Sequence, residues 1–127
     1  MIKTTVKEIV DSTKVFNNLM TQDFDGGVAF RIARIAREVE KELETFNKQR
    51  KNIIEKYCAR DEDNNPITNE NGDYIINKDN YEQCNSDFNS LLKNEIEINA
   101  EKLSLEDVSK FTITPQNLIT IQSFINE

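Results

Sequence analysis

The residues best suited to chemistry in this sequence are a glycine pair and the three arginines that follow it. Gly26-Gly27 opens a helical pattern, and Arg31, Arg34 and Arg37 lie one and two turns further in. Glycines at a helix start leave backbone N–H groups open at the positive end of the helix dipole. Guanidinium forks beside them suit phosphate or carboxylate. The chain carries a net charge of −7 and this is its only local basic cluster. Gly26, Gly27, Arg31, Arg34 and Arg37 therefore form the candidate anion or nucleotide site, pictured as a pocket between protomers. The plainer reading is a solvated helix face, with Arg and Lys alternating with Glu38, Glu42 and Glu44 at spacings that pair. No Walker-type or dinucleotide motif accompanies the glycines.

Two other features carry potential chemistry. Arg50 falls on the apolar seam between Phe46 and Ile53, a candidate buried charge that needs a partner or else must snorkel its guanidinium out of the core. Glu95, Glu97 or a carboxylate of another chain could supply it. Asp61, Asp63, Asn65, Asn69, Asn71 and Asp73 place oxygens at alternate positions, as a calcium loop begins. However, Pro66 occupies the place of the obligatory loop glycine, and the twelfth position is Gly72 rather than Glu. Asn and Asp are also ordinary turn formers, so no metal site is expected. Histidine is absent. That removes His-based acid–base catalysis, Ser-His and Cys-His nucleophile pairs and most zinc sites. The reading is a non-enzyme with no catalytic residues and no cofactor.

These residues are positioned by one long amphipathic segment. Val28, Ile32, Ile35, Val39, Leu43, Phe46, Ile53 and Tyr57 recur every three or four residues, predicting a single helix over 27–60 with an apolar seam along it. At about 1.5 Å per residue it reaches roughly 50 Å, too long to persist unless other segments or a second chain cover the seam. Ahead of it, the capping-box spacing Thr5-x-x-Glu8 predicts a helix over 6–21. Beyond it, Asn71-Gly72 marks a β-hairpin or ordered loop over 66–77. A helix over 79–93 then packs back along the seam. Residues 95–99 alternate as a strand does, and Leu103, Leu105 and Val108 suggest a helical turn. Thr114-Pro115 opens a closing helix over 114–126. That helix is apolar enough that it must dock on its own chain or on a neighbour. The fold class is mainly α: a long antiparallel helical hairpin with a small β-hairpin tip, a short strand and a docking C-terminal helix.

At 127 residues the length suits one domain, 1–127. Hydrophobic residues make up 37%, which fits an elongated helical protein or one that completes its core as a homo-oligomer; a homo-oligomer is the expected state. Acidity argues against general nucleic-acid binding and against anionic membranes. No apolar run spans a bilayer and no signal peptide is expected. Two cysteines, Cys58 and Cys84, are too few for a secreted disulfide scaffold, so the expected location is the cytoplasm and the thiols reduced.

The order of segments resembles a family of small proteins encoded by tailed phages of Firmicutes-type hosts, a family known only as a domain of unknown function. The likeness runs through GGVAFRIARI with Arg31 and Arg34, the R-x-x-I-I-E-K-Y stretch from Arg50 to Tyr57, the acidic Asn-rich turn, NGDYII, LLKNEIEIN and the I-T-P-x-x-L ending from Ile113 to Leu118. It covers nearly the whole chain, and none of its motifs is catalytic. The resemblance implies an accessory phage protein in the cytoplasm of an infected bacterium. Two roles follow: a host-directed, anti-defence binder, or a virion assembly or chaperone-like adaptor. As a binder it would block a host protein or, as an oligomer, sequester a small anionic nucleotide.

Overall fold

The structure, a computed structural model, describes residues 1–127. It is mainly α, as expected, and the long helix is unbroken. In chain order the elements are β1 (Ile2–Thr5), α1 (Val6–Leu19), α2 (Gly26–Tyr57), α3 (Tyr81–Lys93), β2 (Glu95–Ile98), β3 (Leu103–Ser104), α4 (Leu105–Val108), α5 (Pro115–Thr120) and β4 (Ile125–Asn126). The sequence treats residues 1–127 as one helical domain. The backbone gathers into two compact units, Met1–Glu44 with Lys93–Glu127, and Thr45–Leu92.

In the first unit, Thr5 caps α1 by accepting the Glu8 N–H at 3.2 Å. Ile9, Phe16 and Leu19 on α1 and Val28, Ile32, Ile35 and Val39 on α2 are buried together. The residues before α1, left unassigned by the sequence reading, form a strand: β1 pairs antiparallel with β2 from Ile2↔Ile98 to Thr5↔Glu95. Ile2 and Thr4 face the core, while Lys3 is exposed. The end of the chain departs further from expectation. The helix predicted over 114–126 is capped by Thr114 but stops at Thr120. A 3-10 turn over Gln122–Phe124 follows, and β4 pairs parallel with β3. This break aims Ile121, Phe124 and Ile125 into the core, where Phe124 meets the Phe16 ring edge-on at 5.1 Å. The apolar tail thus docks on its own chain, which removes the reason it gave to expect an oligomer.

In the second unit, Tyr57 and Cys58 at the end of α2 are buried, as are Cys84 and Leu91 on α3. The Tyr57 hydroxyl donates to Asp87 at 2.6 Å. The segment between the helices is more ordered than a hairpin. Three backbone bonds close a ring: Ile67 N–H to Ala59 C=O at 2.8 Å, Ile75 N–H to Ile67 C=O at 3.0 Å, and Ala59 N–H to Ile75 C=O at 2.7 Å. These residues are eight apart, and so are the turns that follow them. The Asp61 carboxylate accepts the N–H groups of Asp63 and Asn65 at 3.0 and 2.9 Å. The Asn69 carbonyl oxygen accepts those of Asn71 and Asp73 at 2.9 and 3.1 Å. Asn77 accepts from Asp79 at 3.1 Å. The fourth residue of the first two turns is left-handed, Asn64 at φ 64° and Gly72 at φ 81°. The segment is an eight-residue repeat of side-chain-capped turns, in which the oxygens of Asp61, Asn69 and Asn77 hold backbone N–H groups.

Gly72 has open space around a would-be Cβ, so Gly72→Ala isolates the left-handed penalty and should cost about 1 kcal/mol. Asn69→Ala, which strands two N–H groups near solvent, should cost about 1 kcal/mol, whereas Asn69→Asp keeps the acceptor and should cost much less. Urea denaturation of the three variants checks both.

Candidate functional site

Asp25 C=O accepts the Ala29 N–H at 2.9 Å and so starts α2, whose opening glycines are exposed. Neither is sterically required. A Cβ on Gly26 meets nothing within 4 Å, and one on Gly27 would lie 3.6 Å from Arg31 Nη1, an ordinary contact. The packing of the chain itself thus places no demand on either glycine.

The arginines separate. Arg31 turns to Asp107, 76 residues along the chain, with Nε donating to Oδ2 at 2.9 Å and Nη2 to Oδ1 at 2.5 Å. Asp107 sits in the first turn of α4, in a capping box with Ser104. Its N–H donates to Ser104 Oγ at 3.1 Å and its carboxylate accepts the Ser104 N–H at 3.1 Å. Only 5% of the Asp107 side chain is exposed, against 40% for Arg31. The Arg31 fork holds the Asp107 carboxyl below the ordinary carboxylate range, overriding the upward pull of burial. Arg34 donates from Nε to Asn99 C=O at 3.3 Å. Arg31 and Arg34 share a hollow of about 410 Å³ with Met1, Phe30, Asn99, Ala100 and Glu101. Arg37 lies on another, beside Phe16, Met20 and Leu43. The structure thus brings Arg31 and Arg34 together but not Arg37, and the anion that Arg31 binds is the chain's own. Of the expected glutamate partners, Glu38 pairs with Lys41 at 3.3 Å.

Arg50 corrects a second expectation. It is exposed rather than buried, because in the second unit the seam is only partly covered: Phe46 and Ile53 are half-buried on either side of it. Arg50 lines a hollow of about 740 Å³ with Lys51, Ile54, Tyr74, Ile76, Tyr81 and Phe88.

Sequence reasoning missed Asp107. Ser104-x-x-Asp107 has the capping-box spacing, but nothing local signals that its carboxylate also serves a helix 76 residues away.

Asp107→Ala should lower stability by about 2 kcal/mol, since it removes a buried, charge-assisted pair and half of a cap. The carboxyl's folded pKa lies below its unfolded one, so the pair stabilises fully above about pH 5. That stability is lost as the pH falls through the ordinary Asp value of about 3.9 to the folded one. Denaturation midpoints between pH 7 and pH 3 should fall less steeply in Asp107→Asn than in the unmodified chain. Gly26→Ala should be tolerated or stabilise by about 0.5 kcal/mol in the same assay. No protein-family model, curated protein or solved structure matches the chain, so its own geometry carries the functional reading.

Proposed function

We propose that this chain is a non-catalytic, phage-encoded accessory protein that acts in the infected host by binding and blocking another protein. The phage origin rests on the resemblance noted above. The observation that favours a protein partner over a nucleotide is the Arg31–Asp107 pair. The one guanidinium at the helix opening that presents a bidentate fork is already engaged by a buried carboxylate. Recruiting it to a nucleotide phosphate would strand Asp107 as an uncompensated charge. The lack of histidine supports binding rather than catalysis, and no helix is long and apolar enough to cross a membrane.

Isothermal titration with cyclic dinucleotides and ADP-ribose derivatives should give no binding heat. Heat that disappears in Arg34→Ala, which leaves the Asp107 pair intact, would overturn this choice in favour of nucleotide sequestration. Mass spectrometry of purified virions should find the chain absent. Stoichiometric copies there would favour the assembly role instead.

A further inference from the structure

The first unit holds two sheets of two strands each, β1 with β2 and β3 with β4. β1 lies beside the 3-10 turn at residues 122–124, where Thr4 Oγ1 and Ser123 Oγ are 3.4 Å apart. β2 has no strand on its other side. The hydrogen-bond parity shows which of its groups are unused. Val6 N–H donates to Asn94 C=O at 3.0 Å, one position beyond the Thr5↔Glu95 pair. Counting by twos, Thr4/Ile96 and Ile2/Ile98 are the pairs that exchange bonds. The N–H and C=O groups of Glu95 and Glu97 therefore point away from β1, and none finds a partner in the chain. These four groups form a template for one more strand.

Side chains state what that strand should look like. Glu95 and Glu97 stand exposed on the outer face with Lys3 and Thr5, around a hollow of about 500 Å³ that Glu8 also lines. Three carboxylates there face a single cation, Lys3, which is 3.9 Å from Glu97. Ile96 and Ile98 occupy the opposite face, half-buried and buried. A second copy fits poorly. Antiparallel pairing about Ile96 sets Glu95 against Glu97, and pairing about Glu97 sets that residue against itself, both like-charge oppositions.

We propose that the free edge of β2 takes up an extended segment of a partner protein as an added strand, one in which lysines or arginines alternate with apolar residues. The proposal rests on the protein-binding reading and gives that partner a chemistry. The outward direction of the Glu97 N–H supplies a clean test, because proline is tolerated at an edge position whose N–H faces solvent. Glu97→Pro removes a donor that the β1 pairing does not use.

The probe is a capped, fluorescently labelled Thr-Lys-Val-Lys-Val-Lys-Thr peptide, compared with its Glu-for-Lys counterpart and with a version N-methylated at alternate residues. The Lys peptide should bind at least tenfold tighter than the Glu peptide. N-methylation at the lysines should weaken it at least tenfold, as should Glu97→Pro relative to Glu97→Gln, which loses the same carboxylate but keeps the N–H; a Glu95→Lys/Glu97→Lys chain should reverse the charge preference. Should Glu97→Pro fail to fold, the methylated peptide and the charge reversal still decide. Undiminished binding of the methylated peptide, no binding of the Lys peptide, or a dimer of the unmodified chain that the charge reversal changes would each overturn the proposal. None of these results bears on the virion and nucleotide measurements, so the broader reading fails separately.

Discussion

The constraint from which the first unit follows is the apolar stripe at the start of α2. Val28, Ile32, Ile35 and Val39 are each no more than 3% exposed. Burying such a side chain contributes about 2 kcal/mol, and a helix of this length does not persist in water on its own hydrogen bonds. The cover comes from both ends of the chain: β1 and α1 before it, and β2 through β4 after it. At the close of the chain, the turn after Thr120 delivers Ile121, Phe124 and Ile125 in three successive backbone conformations to that core.

The same constraint decides what the arginines do. Residues flanking a buried stripe are brought against whatever segment covers it. Arg31 neighbours Val28 and Ile32, so the segment carrying α4 lies over it, and a carboxylate buried there needs a charged partner. Arg31 lies close enough to provide it. Arg34 and Arg37 project around the helix and meet a backbone carbonyl and an open groove. Three arginines spaced three apart are thus divided by helix geometry: Arg31, which anchors Asp107, shares a hollow with Arg34, and Arg37 lies on another.

Much of the fold was legible because its signals are local. Thr5-x-x-Glu8, the 3.6-residue stripe, Thr114-Pro115 and the alternation Glu95-Ile96-Glu97-Ile98 each specify an element within a few residues. β1 was not legible: Ile2-Lys3-Thr4 is too short to show a period, and it is a strand only because β2, some 90 residues on, supplies its bonds. Arg50 was misjudged for a related reason. Its position on the stripe is real, but burial depends on how far a partner covers the stripe, which periodicity does not report. The eight-residue repeat was visible in principle, with Asp61, Asn69 and Asn77 at equal spacing. Yet which of these oxygens turn back onto backbone N–H groups shows only once those groups are placed. The Asp107 carboxylate lay beyond sequence altogether, because its cap is local and its charge partner is not.

A final contrast connects the candidate site to the β2 edge. In the second unit, the turns at Asp61, Asn69 and Asn77 give loop N–H groups side-chain acceptors, which is how a segment rich in Asn and Asp stays folded with few buried residues. In the first unit, Asp107 and Ser104 do the same for α4, and Gln22 bonds both the N–H and the C=O of Thr112. The polar side chains of this protein are thus spent largely on its own backbone. Glu95 and Glu97 are different: their backbone groups face outward and their carboxylates are exposed, although two residues of Asn or Ser type could have folded back to close the edge. An edge of this kind invites indiscriminate pairing, and charged side chains along it are one means of refusing neighbours of like charge. They do not refuse a basic strand. The arrangement that protects β2 from its own copies is therefore also the one that selects a partner of opposite charge.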